Sequence, residues 1–221
     1  MFLNPKSNIL TPKLIDHTNL KVDAQEIDIE KLCKESIEYN FRGVCVNPVW
    51  VPFVSKILKN TPVKVISVGD FPLGSSLSEA RKKEAEVIMK SGGDEVDFVL
   101  QIPLFKSKKY KEVERDLREI AEIIHPDGKL KVIIEAPILT EDEIKDVVKI
   151  VEASGADFIK TGTGTKGPVT IFQVKKIKEN TTLPIKASGG IRDIKTAIEL
   201  IKEGASILGS SNGVKIVRDL L

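Results

Sequence analysis

Lys160 stands inside an apolar run, Phe158-Ile159-Lys160-Thr161, directly before the turn Gly162-Thr163-Gly164. An ammonium in an apolar strand is penalised, and burial together with a second cation favours the neutral amine. A neutral amine is what adds to a carbonyl, giving a carbinolamine and then a Schiff base. The second cation is Lys186, which precedes its own turn, Ser188-Gly189-Gly190-Ile191, in the same way. Proton movements at the carbinolamine and enamine need an acid–base group, and Asp97, in Glu95-Val96-Asp97-Phe98, is best placed for it. Most of the chain's lysines must be solvated surface groups, so the case for Lys160 rests on its company.

Two glycine-rich turns supply the other half of a site. One carries Gly189 and Gly190; the other is Gly209-Ser210-Ser211-Asn212-Gly213, before the last helical pattern. Glycines let backbone N–H groups come close to an anion, and a helix N-terminus adds a favourable dipole. Gly189, Gly190, Gly209, Ser210 and Ser211 are therefore the expected phosphate-binding residues, with Arg192 as a possible helper whose ordinary place is the surface.

These residues must be positioned by something, and the chain alternates short β-rich runs with helical patterns, the signature of a parallel α/β fold. Strands are expected near 14–18, 43–47, 63–69, 95–102, 130–136, 157–161, 184–188 and 205–209. Between them the patterns predict helices, among them one long helix from about 103 to His125 and a last one running to Leu221. Thr140-Glu141-Asp142-Glu143 predicts a capping box, and Asp193 a further N-cap. Eight strand–helix pairs in about 210 residues match a (β/α)₈ barrel, with an open doubly wound sheet as the rival. No linker or repeat divides the chain, so residues 1–221 are read as one domain, with about 1–13 as an N-terminal extension.

Strands of a parallel barrel are buried on both faces, so a charge inside one is costly unless paired or used. Six of the expected strands carry such polar residues: Asp16, Cys45 with Asn47, Asp97, Lys131 with Glu135, Lys160, and Lys186. The C-terminal ends of barrel strands open at one mouth, where sites are built. Any single member has even odds of being a satisfied interior ion pair; six strands together point to convergence on one pocket.

Bulk properties narrow the classes. There are 34 Lys and Arg against 32 Asp and Glu, interspersed, for a net charge of +2, which argues against an extended nucleic-acid surface. No apolar run approaches the ~18 residues of a membrane span, and the first residues lack an apolar signal core. Cys33 and Cys45 make no disulfide framework, so a cytoplasmic location is expected. His17 and His125 form no cluster at ligand spacing, and no metal is expected.

With these residues in view, the chain resembles the 2-deoxyribose-5-phosphate aldolase family, class I aldolases with a (β/α)₈ fold. The resemblance rests on Leu14-Ile15-Asp16-His17-Thr18, Val44-Cys45-Val46-Asn47-Pro48, Phe71-Pro72-Leu73-Gly74, Asp94-Glu95-Val96-Asp97 and Lys131-Val132-Ile133-Ile134-Glu135. It continues through Ala156-Asp157-Phe158-Ile159-Lys160-Thr161, Lys186-Ala187-Ser188-Gly189-Gly190-Ile191-Arg192 and Gly209-Ser210-Ser211. It implies Lys160 as the Schiff-base lysine, Lys186 as the lysine that perturbs it and helps move protons, and Asp97 as acid–base. It also implies Asp16 as a contact to a sugar hydroxyl, and Thr163, Gly189, Gly190 and Ser211 as lining the substrate pocket. The implied reaction cleaves 2-deoxy-D-ribose 5-phosphate reversibly to D-glyceraldehyde 3-phosphate and acetaldehyde, without cofactor, in a homo-oligomer of two or four chains.

Three stretches depart from the family pattern: Gly162 where a serine is usual, Asp70 where a small or neutral residue is usual, and the loop Thr165-Lys166-Gly167-Pro168-Val169. They leave open a Schiff-base aldolase acting on another phosphorylated aldehyde. A silent barrel that only binds a sugar phosphate is the alternative from a different class.

Overall fold

In a computed structural model, residues 9–220 are described. Eight parallel strands close into a barrel in sequence order. They are β1 (Ile15–Asn19), β2 (Gly43–Val46), β3 (Lys64–Gly69), β4 (Glu95–Val99), β5 (Lys129–Ile133), β6 (Phe158–Lys160), β7 (Ile185–Ser188) and β8 (Ala205–Ser210). The helices are α1 (Glu26–Glu38), α2 (Val51–Leu58), α3 (Ser78–Lys90), α4 (Ile102–Lys106), α5 (Tyr110–Ile124), α6 (Glu141–Ala153), α7 (Ile171–Lys178), α8 (Ile194–Lys202) and α9 (Gly213–Arg218). This is the (β/α)₈ barrel expected above. No helix among the described residues is long and apolar enough to cross a membrane.

The period of two along each strand sorts its side chains. Val96 and Phe98 of β4, Leu130 and Val132 of β5 and Ile159 of β6 join one core with the helices, including Leu117, Ile120, Val147 and Val151. The alternate positions, Glu95, Asp97, Lys131 and Lys160, turn to the lumen and bond one another there. The lumen also has an apolar side, where Cys45, Ile66 and Val68 from β2 and β3 pack together with Phe71 against them.

The caps expected at Thr140 and Asp193 are present: Glu143 N donates to Thr140 Oγ1 at 3.2 Å and Thr196 N to Asp193 Oδ1 at 2.9 Å. The single long helix expected from 103 to 125 is instead two, α4 and α5. Lys108 takes a left-handed φ of 58° between them, and the Ser107 hydroxyl closes α4 on the Pro103 carbonyl. Phe105 and Tyr110 stack across that break at 5.3 Å, so the apolar spacing that suggested continuity is kept without it. The fourth strand ends at Val99 rather than 102, because Ile102-Pro103 opens α4. The fifth ends at Ile133, before Glu135 turns left-handed at φ 54°. Of the stretch 1–13 expected as an extension, residues 1–8 lie outside the described residues, while Leu10 is fully buried in a core with Ile15, Phe41 and Leu208. The last helix ends at Arg218, and Leu221 lies outside the described residues.

Candidate active site

The strand ends bring the expected residues to one place. Lys160 and Lys186 are direct register partners on β6 and β7. Both ammonium groups donate to the same oxygen, Asp97 Oδ2, at 2.8 and 2.7 Å. Lys131 Nζ donates to Asp97 Oδ1 at 2.9 Å, and Lys186 Nζ also lies 2.6 Å from Asp16 Oδ2. Gly209 gives Lys186 its room: a Cβ there would stand 3.1 Å from Lys186 Cε.

Below this layer lie two residues the sequence reading did not single out. Arg42, just before β2, bonds Asp16 Oδ1 at 2.8 Å and forks onto both oxygens of Glu95 at 2.9 and 2.6 Å. Glu95 in turn pairs with Lys131. The signal for Glu95 was available, since Glu95 and Asp97 are two apart on one strand and must share a face. Arg42 offered none, because it lies outside any strand pattern.

Electrostatics follow from these contacts. Burial disfavours ionisation of Asp97, but Lys131, Lys160 and Lys186 hold it well below the usual carboxylate range. Against the same penalty, Lys186 and Arg42 lower Asp16, and Lys131 and Arg42 lower Glu95. Burial opposes the charge of Lys186 as well, and Asp16 and Asp97 overcome it, raising Lys186 above the usual lysine range. Carboxylates depressed in the folded state contribute stability that is present above their unfolded value near pH 4 and is lost as pH falls through the folded one. The raised Lys186 contributes stability that is full below its unfolded value of about 10.4 and is lost only above it. Thermal unfolding is therefore expected to be insensitive to this cluster between about pH 5 and 9 and to fall steeply below about pH 4. A melting temperature held constant down to about pH 3 contradicts this.

Above the cluster opens a cavity of about 690 Å³ at the C-terminal mouth. Of the barrel lysines only Lys160 borders it; Lys131, Lys186, Asp97 and Asp16 are buried beneath. Asp16 does not line the cavity; its partners are Lys186 and Arg42. Thr163, Gly189, Gly190, Gly209, Ser210 and Ser211 all line the cavity, as does Phe71, whose ring centre is 6.0 Å from Lys160 Nζ. Arg192 lines it too, joined by Lys21, which sequence reasoning passed over.

Not every predicted group is free to bind. The Ser210 hydroxyl donates to the Ile191 carbonyl at 2.7 Å and accepts from Asn212 N at 3.0 Å, tying the last two turns together. Glu135 lies outside the lysine cluster and holds the loop after β6, accepting from Thr163 N at 3.1 Å and Thr163 Oγ1 at 2.6 Å. Gly162 makes space for that clasp, since a Cβ there would stand 2.9 Å from Glu135 Oε1. The loop then lies on the glycine turn of β7, with Val169 N donating to Gly189 O at 3.0 Å, and Gly189 and Gly190 at φ 109° and 73°. Asn47 lines no part of the cavity; its carbonyl accepts from Trp50 N at 3.0 Å. His17 pairs with Glu35 at 2.9 Å and His125 with Asp157 at 2.8 Å.

Residues 11–220 match the family model described as DeoC/LacD family aldolase. The chain belongs to this family of aldolases. As a DeoC/LacD aldolase it is 42% identical over 213 residues to the deoxyribose-phosphate aldolase of Aciduliprofundum boonei, covering 94% of this chain and 96% of that one. The deoxyribose-phosphate aldolase of Clostridium perfringens is likewise 42% identical, over 92% of each chain. Among solved structures, the tetrameric deoxyribose phosphate aldolase of Aeropyrum pernix superposes with a TM-score of 0.90 at 30% identity, over 98% of this aldolase and 95% of that chain.

Proposed function

We propose that this aldolase cleaves 2-deoxy-D-ribose 5-phosphate reversibly to D-glyceraldehyde 3-phosphate and acetaldehyde through an imine on Lys160. The observation that carries the reading is that Lys160 alone of the barrel lysines borders the cavity, while bonded to Asp97 behind it. Family membership and the names of the 42% identical relatives support the substrate.

The amine of Lys160 adds to the sugar's C1 carbonyl, and loss of water gives the imine. The C3 hydroxyl then gives up its proton as the C2–C3 bond breaks, and the bonding pair passes into an enamine at C2. Glyceraldehyde 3-phosphate leaves; protonation of the enamine and hydrolysis release acetaldehyde and restore the amine. Asp97 is buried below the cavity, so it exchanges protons with substrate through the amines bonded to it. Lys186 stays the cation of the pair, held by Asp16 and Asp97. The phosphate is assigned to the turns at Gly189, Gly190, Gly209 and Ser211, with Arg192 and Lys21 as nearby positive charge.

Borohydride reduction with acetaldehyde is expected to trap an adduct that peptide mass mapping locates on Lys160. Deoxyribose 5-phosphate is expected to be cleaved faster than ribose or fructose phosphates. Faster cleavage of one of the others would move the substrate assignment, which Gly162 and the loop clasped by Glu135 make worth testing. The same reading places the enzyme in the cytoplasm, in keeping with two free, buried cysteines, and fractionation tests it. It also makes the enzyme a dimer or tetramer, which sedimentation reads directly; the Aeropyrum pernix relative is described as a tetramer.

A further inference from the structure

Seven charged groups cluster in the barrel interior, and six of them close into a ring. Asp97 meets Lys186, Lys186 meets Asp16, Asp16 meets Arg42, Arg42 meets Glu95, Glu95 meets Lys131, and Lys131 returns to Asp97. Signs alternate all the way round, so its three cations and three carboxylates sum to zero. Lys160 is the seventh group. It hangs on the ring through Asp97 Oδ2 alone and shares that oxygen with Lys186.

Other titratable neighbours do not alter this count. On β2, Cys45 Sγ lies 3.9 Å from Asp97 Oδ2, and burial raises its thiol, keeping it neutral. On the lumen side β3 presents Ile66 and Val68, and next to Lys186 β8 presents Gly209. After β5, Glu135 is committed to Thr163. On the open side, the charged or titratable residues lining the cavity are His17, Lys21, Asp28, Lys31, Glu35 and Arg192.

A net charge in a buried cluster is costly. With every group ionised the cluster carries one positive charge; with one amine neutral it carries none. Arg42, Lys131 and Lys186 each touch two carboxylates, whereas Lys160 touches one that is already shared. We propose that Arg42, Glu95 and Lys131 are positioning residues for the nucleophile: by closing a neutral ring they leave Lys160 as the amine whose proton is in excess. All three act from beneath, and none lines the cavity. Arg42 lies at the opposite, N-terminal end of the barrel, where its side chain is 19% exposed. The inference rests on the Schiff-base reading above.

The test is the pH dependence of imine formation with acetaldehyde, trapped by borohydride and read by intact mass. Glu95→Gln leaves four cations against two carboxylates and is expected to move the acid limb down by about one pH unit. Lys131→Met leaves three against three and is expected to move it up by a similar amount. The double variant leaves three against two, restores the excess of one, and is expected to return the midpoint to that of the wild type. A merely structural role would slow imine formation at every pH, more in the double variant, with midpoints unmoved. That result, or both single variants moving the same way, overturns the proposal. Each single variant takes one ring partner from two buried charges and leaves them the other; if either fails to fold, the other and the double carry the test, and a displaced midpoint in the double overturns it. A wild type that forms no adduct at all overturns the Schiff-base reading instead.

Discussion

Lys160→Arg is expected to lose cleavage activity by about 10⁴-fold or more while remaining folded, because the nucleophile of a covalent route has no substitute. A guanidinium still donates to Asp97 Oδ2, so the contact that Lys160 makes there at 2.8 Å has a replacement. Arginine does not deprotonate in the working range, however, and cannot add to a carbonyl. Lys186→Met separates the two lysines. It leaves Asp16 with Arg42 and Asp97 with Lys131 and Lys160, so each carboxylate keeps a partner. What is lost is the cation next to the nucleophile, and a drop of about 10²- to 10³-fold is expected, the range of a single proton-transfer group. The adduct should still form on Lys160, more slowly. Steady-state cleavage kinetics and adduct mass check both variants. An adduct retained in Lys160→Arg, or an undiminished rate in Lys186→Met, would move the chemistry elsewhere.

The parts of this site that were legible from sequence share one physical cause. A charge in an apolar run with period two must either point at a helix and be excluded or point at the lumen and be used. Asp16, Asp97, Lys131, Lys160 and Lys186 are therefore gathered by sequence alone, and sequential strand order makes Lys160 and Lys186 neighbours. What pattern cannot supply is depth along the barrel axis. Asp16 and Lys160 both stand on strands, yet one lies under the cavity and the other borders it.

Arg42 was invisible for a related reason. It belongs to a connection, and its long side chain reaches along the axis to strands β1 and β4, so no local spacing betrays it. Ser210 shows the converse, a residue of the right type in the right turn whose hydroxyl is already consumed by the fold. Helix α4 ends for a local backbone reason, the left-handed Lys108, which apolar periodicity across Phe105 and Tyr110 conceals.

Arg81→Met is expected to cost roughly 3–5 kcal/mol of stability, because it strands two buried carboxylates. Arg81 is fully buried, pairs through Nη1 with Asp70, and donates through Nε to Asp116 at 3.0 Å and through Nη2 to the Val99 carbonyl at 2.9 Å. Asp70 is the acid that departs from the family pattern, and Arg81 is what makes an acid tolerable there. Its backbone is left-handed at φ 46°, its carboxylate accepts from Ser76 Oγ at 2.7 Å, and its own N–H donates to Glu84 at 2.8 Å. The next residue is Phe71, which lines the cavity beside Lys160. For a chain of this size the melting temperature should fall by about 10 °C. Adding Asp116→Leu removes one stranded charge and should recover part of that loss, since apolar replacement of a buried pair is far less costly than breaking it. Recovery of stability without recovery of KM would separate the two jobs of the clamp, one holding α3 to α5 and the other holding Phe71 over the nucleophile. Equal recovery of both would show that the site does not depend on the ion pair of Arg81 with Asp70.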